Sequence, residues 1–373
     1  MKKLTNIALG VGLSLSVSSV FAAQIVADAR GNGMGNTGVA TATYITAPFY
    51  NPALGAIYSE DDDFGLLLPA IGVNANDPDE VISLIDDLDE AIENEDFTKA
   101  DEYLDALEEG GILSVSGGAG IAVAIPLATV STNFFAHGHV EIMSQAEIDD
   151  STDVQDRYNS SQVDTQAFAY SEFGVSLSKS YMISDQQVSF GVSPKYQVMR
   201  TYSQVSTLED FDLSDYEESE NNESAFNFDI GAAWYTDHLR VALALKDVIS
   251  QEIELKNSSG SIQDVYELNP QATFGFAYIN NYFTAALDAD LTKQERFKSA
   301  DDNTQFVRVG IEGNAWDWLQ LRAGYEMDLE DTLDDSITAG FGISPWDVVH
   351  FDLAASYAGS NQLGGAANLY LSF

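Results

Sequence analysis

The sequence contains no cysteine, so neither a disulfide framework nor a thiolate metal site can form. It has 4 histidines, little material for an imidazole site, and 16 Lys and Arg against 59 Asp and Glu. The resulting formal net charge of −43 argues against nucleic acid as a partner, because neutralising phosphates requires cations. Common catalytic signatures are missing too: there is no Gly-x-Ser-x-Gly elbow, no P-loop and no His-Glu-x-x-His pair. An enzyme is not expected, and no cofactor is implied. Beyond the first 22 residues no unbroken apolar run approaches the roughly 20 residues that a spanning helix needs. The exported chain is therefore either soluble in the periplasm or a barrel that crosses with strands.

Export itself is read from the start of the chain. Met1-Lys2-Lys3 is followed by an apolar stretch from Leu4 to Phe21 and small residues two apart, Val20-Phe21-Ala22, which is a signal peptide over residues 1–22 with cleavage after Ala22. The acidic excess gathers in blocks such as Asp61-Asp62-Asp63, Asp86 to Glu95 and Glu217 to Glu223. Solvated loops and faces explain such blocks more simply than a specific cation site.

From Glu172 onward one design repeats: an alternating segment, a very short turn, another alternating segment, then a longer polar loop. In Trp318 to Asp328, Leu319, Leu321, Ala323, Tyr325 and Met327 share one face while Gln320, Arg322, Glu326 and Asp328 share the other, as a period of two dictates. The short turns fall at 181–188, 234–239, 278–283, 316–318 and 345–348, and all 4 Trp lie beside them. Rings clustered at one level mark a membrane boundary, which favours a barrel over a soluble sandwich. One segment near Phe64 to Val73, two between Gly118 and Ile142 and eleven from Ala167 onward make roughly 14 strands. The expected fold is thus an all-β transmembrane antiparallel barrel over residues 63–373, with long loops near 145–165, 203–224 and 256–266 facing outward. Its end, Leu369-Tyr370-Leu371-Ser372-Phe373, resembles the terminal strand of outer-membrane proteins that engages the barrel-assembly machinery during biogenesis, with Asn368 where Gly is frequent.

Two segments depart from the meander. Asp77-Pro78-Asp79-Glu80, followed by Val81, Leu84, Ile85, Leu88 and Ile92, predicts a capped amphipathic helix. A second helix is predicted from Phe97 to Leu107, stopped by Gly110-Gly111, so that residues 77–110 form a helical insert outside the cell whose apolar stripe covers the barrel mouth. The other departure is residues 23–62, rich in Gly, Ala and Thr, too long for a tail without purpose.

That N-terminal stretch contains Asp28-Ala29-Arg30-Gly31-Asn32-Gly33-Met34-Gly35-Asn36-Thr37-Gly38, then Ala47-Pro48-Phe49-Tyr50-Asn51-Pro52-Ala53-Leu54. A Gly-rich start, an Asn-Pro-Ala motif and the order of features over the mature chain resemble the FadL superfamily. The segment from Asn51 through Phe64-Gly65-Leu66-Leu67-Leu68-Pro69-Ala70-Ile71-Gly72 looks more narrowly like the group catalogued as conjugal transfer protein TraF-like. The resemblance implies that residues 23–62 fill the barrel as a hatch with Asn51, Pro52 and Ala53 at its turn, and that Gly31, Gly33, Gly35 and Gly38 bring its backbone close to the wall.

It also implies passive uptake of a hydrophobic small molecule, such as a fatty acid, into a wall surrounded by outer-membrane lipid. Pro194 is then a candidate lateral opening, because it removes a ladder donor from an alternating run. Lys195, Arg240, Lys246, Arg308 and Arg322 fall on the polar face as candidates to hold a ligand, although pairing with inward acids is the simpler reading of most. His137, His139 and Glu141 share that face at i, i+2, i+4; lumen packing explains them more simply than a divalent metal. The alternative function is an outer-surface structural or interaction protein. If the signal peptide is cut as read, mass spectrometry of the exported protein will show an N-terminus at Ala23; a mass retaining residues 1–22 would overturn that reading.

Overall fold

The computed structural model describes residues 28–373 apart from 78–79, 111–112, 185, 210, 212–220, 257–259, 300–301, 317, 346–347 and 360–361. The signal peptide, residues 23–27 and Trp346 therefore lie outside the described residues.

The wall is built from β1 (Gly65–Asn76), β2 (Leu113–Ile125), β3 (Ser131–Glu147), β4 (Gln162–Ile183), β5 (Gln186–Thr207), β6 (Asn221–Tyr235) and β7 (Leu239–Lys246). It continues, after a separate pair β8 (Gln251–Lys256) and β9 (Ile262–Leu268), with β10 (Gln271–Ile279), β11 (Phe283–Asp290), β12 (Phe306–Ala315), β13 (Leu319–Asp328), β14 (Ser336–Ile343), β15 (Val349–Tyr357) and β16 (Gln362–Ser372). These 14 strands close into one antiparallel barrel in which β16 returns to pair with β1. At the seam the Phe373 carbonyl accepts from the Asp63 and Phe64 N–H groups, and the Phe64 and Phe373 rings lie 6.4 Å apart.

Alternation sorts the side chains as the sequence requires. Phe173, Phe190, Leu243, Ile311 and Leu321 are exposed on the outside, while Lys195, Asp229, Asp288 and Arg322 are buried inside. Exposed Tyr181, Tyr278, Trp316 and Trp318 mark the short-turn end, where the two Trp rings stack at 6.2 Å. A second aromatic row stands further along: Phe173 faces Tyr196, which faces Phe226 in the next strand. From Phe226 to Trp234 the strand advances roughly 25 Å at about 3.3 Å per residue, or about 20 Å along the axis at a tilt near 40°. That matches the apolar band of a membrane barrel, about 25 Å tall.

The height of the wall is uneven. β4 and β5 have 22 residues each, whereas β7, β11 and β14 have 8. The tall side carries the helical insert, α3 (Val81–Glu93) and α4 (Phe97–Glu108), which is numbered after two short helices of the N-terminal segment described below. Asp77 accepts from the Val81 N–H at 2.7 Å, so it serves the α3 N-terminus although the helix starts later than the sequence suggested. The apolar stripes Val81, Ile85, Leu88, Ala100, Leu104 and Leu107 are buried against each other and against Tyr158, Val163 and Leu208. Val163 belongs to the outward set of β4, so the insert leans on the outside of the tall wall; the expectation that it covers the mouth is corrected. Arg157 on α5 (Val154–Ser160) ties α4 down through Asp101, Asp105 and Glu108 at 3.0, 2.7 and 2.6 Å.

Of the stretch expected as an outward loop at 256–266, Lys256 and residues 262–266 belong instead to the paired strands β8 and β9, which lie in the lumen. The alternation of β8, Ile253 and Leu255 against Glu252 and Glu254, gives one apolar face, and this face lies on the inward side chains Met143, Phe168 and Met199. Tyr266 stacks on Phe168 with centroids 3.6 Å apart and planes at 9°. Replacing Tyr266 with Ala should cost about 3–5 kcal/mol of local stability, as for a buried aromatic in a core. Limited proteolysis should then cut Y266A within residues 251–268 while the barrel keeps its heat-modifiable mobility; an uncut hairpin would contradict this packing.

Candidate functional site: the lumen and its N-terminal segment

Asp28 to Asp62 runs inside the barrel as α1 (Ala29–Asn32), α2 (Ala47–Tyr50) and a 3-10 turn at Pro52–Ala56. Asp28 caps α1 by accepting from the Arg30 and Gly31 N–H groups at 3.2 and 3.3 Å, and burial pushes its carboxyl above the usual carboxylate range. Asn51 links α2 to the turn that Pro52 begins. Fully buried, it donates to the carbonyls of Val39, Ala232 and Leu243 at 3.1, 3.4 and 3.4 Å, and its Oδ1 accepts from the Ala53 N–H at 3.0 Å. One side chain thereby joins two parts of the segment to β6 and β7.

The wall opposite has no room for side chains. A Cβ on Gly231 would stand 1.9 Å from Asn51 Oδ1, and one on Gly191 would stand 2.3 Å from the Pro52 carbonyl carbon. Of the four glycines expected to approach the wall, Gly33 meets Gly340 and Gly35, at φ +67°, meets the Tyr325 backbone. Gly31 and Gly38 serve differently: each makes space for the Tyr50 ring of the same segment.

Polar groups from around the wall hold the segment's backbone. Asn368 Oδ1 accepts from Ala29 N–H at 2.7 Å and Thr338 Oγ1 from Gly35 N–H at 2.8 Å, while Asp288 accepts from Gly38 and Val39 at 2.8 and 2.9 Å. Asn133 donates to the Tyr44 carbonyl at 2.6 Å and Ser180 to that of Ala56 at 3.1 Å. Each such bond contributes on the order of 1 kcal/mol, and those to charged groups contribute more. Asn368, the departure from the usual terminal pattern, thus has a structural task.

The five inward cations are all engaged. Lys195 sits among Glu172, Asp229 and Asp247 at 3.0, 3.0 and 2.8 Å; Arg308 holds Asp290 and Glu326; Arg322 holds Glu312 and Asp352. Arg240 and Lys246 instead donate to segment carbonyls, those of Ala40 and Phe49, at 3.0 and 3.3 Å. Two cations were not singled out from sequence. Arg30 grips Glu312 at 2.9 Å, and Arg296, from the loop after β11, reaches Glu141 across the lumen. Burial works against the Arg296 charge, but Glu141 and Asp302 outweigh it and its pKa is raised. No spacing rule points to Arg296, because its loop alternates with nothing. With Glu141 so occupied, His137 and His139 pack by ring contact with Tyr170, and His137 also with Phe49.

The wall is interrupted at two prolines. Beside Pro194 the β4–β5 pairing lapses between Gly174↔Lys195 and Leu177↔Val192, while β5–β6 pairing runs through Pro194↔Phe228. At Leu68–Pro69 the register of β1 shifts against both neighbours, so one extra residue bulges from the closing strand. Behind it lies a packed apolar cluster of Tyr44, Ile45, Phe49, Leu54, Leu67 and Ala70. Nearer the outer end a cavity of about 250 Å³ opens between β1, β2, β12 to β16 and Arg296. A separate space of about 30 Å³, bordered by Asn32 and Asn36, shares Asn74, Glu326, Ser336 and Ser356 with it.

The closed 14-stranded barrel has counterparts among solved structures. The chain is similar in fold to the toluene transporter TbuX of Ralstonia pickettii, with a TM-score of 0.57, 12% identity and coverage of 92% of this chain and 97% of that one. It is likewise similar to a deltaS2S3 mutant of the TodX monoaromatic hydrocarbon channel (TM-score 0.54, 14% identity, 92% and 97% covered) and to a FadL homologue of Pseudomonas aeruginosa (0.53, 13%, 93% and 98%). What the chain shares with these structures is the fold. Residues 48–290 match the family described as F plasmid transfer operon, TraF, protein, and the chain belongs to that family. No curated protein matches it in sequence.

Substituting Gly231 with Val should push Asn51 off the wall and loosen the segment, whereas Asn51→Ala should cost roughly 1–3 kcal/mol through unmade bonds. Conductance in planar bilayers should rise for G231V and less for N51A; unchanged conductance in both would show that the segment is not what closes the lumen.

Proposed function

We propose that this barrel lies in the outer membrane and passively admits small molecules with hydrophobic scaffolds, with residues 23–62 acting as a hatch. The reading rests on one observation above all. The N-terminal segment blocks the straight path down the lumen, while at its level the closing strand β1 bulges at Leu68–Pro69 in front of an apolar cluster. A molecule that cannot pass the hatch has an apolar way out through the wall, where Leu68 and Pro69 lose pairing on both sides. Of the two interruptions we place the opening here rather than at Pro194, which keeps its β6 partner. The relatives in fold whose names speak of toluene or monoaromatic hydrocarbons support the same reading.

Among the described residues Arg240 and Lys246 are the inward candidates with no carboxylate at ion-pair distance, and of the five they are the ones best placed to meet a ligand acid. They lie against the hatch, where the space beside Lys246 is about 40 Å³.

Uptake of radiolabelled toluene and benzyl alcohol by Gram-negative cells expressing the barrel should exceed that of the empty strain several-fold. Deleting Leu68 would restore the β1 register and should abolish the gain while leaving the barrel folded; P194A should keep it. Uptake equal to the empty strain in the wild type would sink the channel reading and favour a surface interaction role, and uptake undisturbed by the deletion would move the opening elsewhere.

A further inference from the structure

We infer that the outer-lumen cavity is a binding site for an uncharged small molecule that bears a hydroxyl or amide group, which deepens the channel reading and rests on it. Beside an apolar share, the lining carries a set of neutral polar groups: Asn74, Asn76, Ser114, Ser116, Ser356 and Gln362 converge from four strands. Hydrocarbon alone would leave these groups without partners when it displaced water from them, at a cost comparable to lost hydrogen bonds.

Charge argues against an ion. Glu141 is taken by Arg296, Glu326 by Arg308 at 2.6 Å and by Asn36 at 3.2 Å, and Asp334 accepts from Gln362 at 2.6 Å. A carboxylate entering here would face three acids and one guanidinium that is already neutralised by Glu141 and Asp302. Acidic surroundings oppose it further, given a net charge of −43. Glu141 and Glu326 could bind a cation only by giving up a buried guanidinium, a costly exchange, and Asp334 is exposed at the edge of the cavity.

Two residues of the lining also hold polar atoms that lack hydrogen-bond partners. Asn76 Oδ1 is buried without a donor, and Arg296 Nε is buried without an acceptor, its nearest carboxylate oxygen on Asp302 standing 3.6 Å away. Arg296 itself is 5% exposed, so the surroundings leave little bulk solvent to serve it. A hydroxyl or amide offers both a donor and an acceptor to the amides and hydroxyls of this lining, whereas an ether or a hydrocarbon does not. Met143, Phe306 and Leu333 supply the apolar portion of the lining for a compact scaffold. The volume of about 250 Å³ has room for a single-ring compound.

Three probes of one shape separate the possibilities: benzyl alcohol, toluene and benzoate, measured by equilibrium binding to the purified full barrel in detergent with empty micelles subtracted. Benzyl alcohol should bind about tenfold more tightly than either of the others, a difference of about 1.4 kcal/mol. N76L, close in volume, should lose most of that preference and leave toluene binding unchanged. Toluene or benzoate binding as tightly as benzyl alcohol would overturn the site, and so would an N76L barrel that keeps the full preference. If N76L does not fold, the wild-type ranking still decides. A clear ranking together with absent cellular uptake would leave the site standing and remove the channel; uptake without ranking would do the reverse.

Discussion

Hydrocarbon offers no hydrogen-bond partners, so a strand placed in it must pair along both edges or not enter. In this chain that requirement falls hardest on the seam where β16 returns to β1, since any failure there reopens every other strand to lipid. The seam holds through paired backbone from Gly65↔Ser372 to Asn76↔Gln362 and through the Phe373 carbonyl. It nevertheless carries the one bulge that disturbs both neighbours of a wall strand, at Leu68–Pro69. The exposed Pro side of such a bulge has no N–H to leave unsatisfied, which is how a closing strand can be irregular at modest cost.

The interior solves a different problem, that of charge in a confined space. Isolated buried ions are expensive, and the lumen meets this with pairs and clusters: Lys195 among three carboxylates, Arg322 between Glu312 and Asp352, Arg30 on Glu312. Glycines at 191, 231, 310 and 324 then let backbone lie on backbone, so the N-terminal segment is held by main-chain contact as much as by side chains. Both devices spread attachment over many strands. Removing any one contact leaves the rest in place.

Much of this was legible in the sequence, for physical reasons. A period of two is visible because one face meets lipid, and short turns are visible because rings gather at the boundary; strand number and short turns follow from those signals, and both insert helices from apolar residues at helical spacing. The β8–β9 hairpin escaped because Ile253, Leu255 and Tyr266 alternate like wall residues yet face a lumen that sequence alone shows as polar. Asn51 stood out as part of a motif, whereas Asn133, Thr338 and Asn368, which bond the same segment, look like any inward polar residue until the backbone they meet is known. Arg296 is the clearest case: one of three cations in an irregular loop, it becomes part of the cavity only through the fold that brings it to Glu141.

The uneven wall also has a bearing on how molecules arrive. Strands of 22 residues beside strands of 8 make the rim oblique, high over β4 and β5 and low over β11 and β14. At about 3.3 Å per residue the difference in strand length approaches 45 Å. The cavity opens beneath the low side, among the ends of β1, β14, β15 and β16. If the barrel admits small molecules as proposed, a compound dissolved at the bilayer surface meets this side almost at its own level and reaches it by lateral diffusion in two dimensions, while one arriving over the tall side must first pass the acidic helical insert.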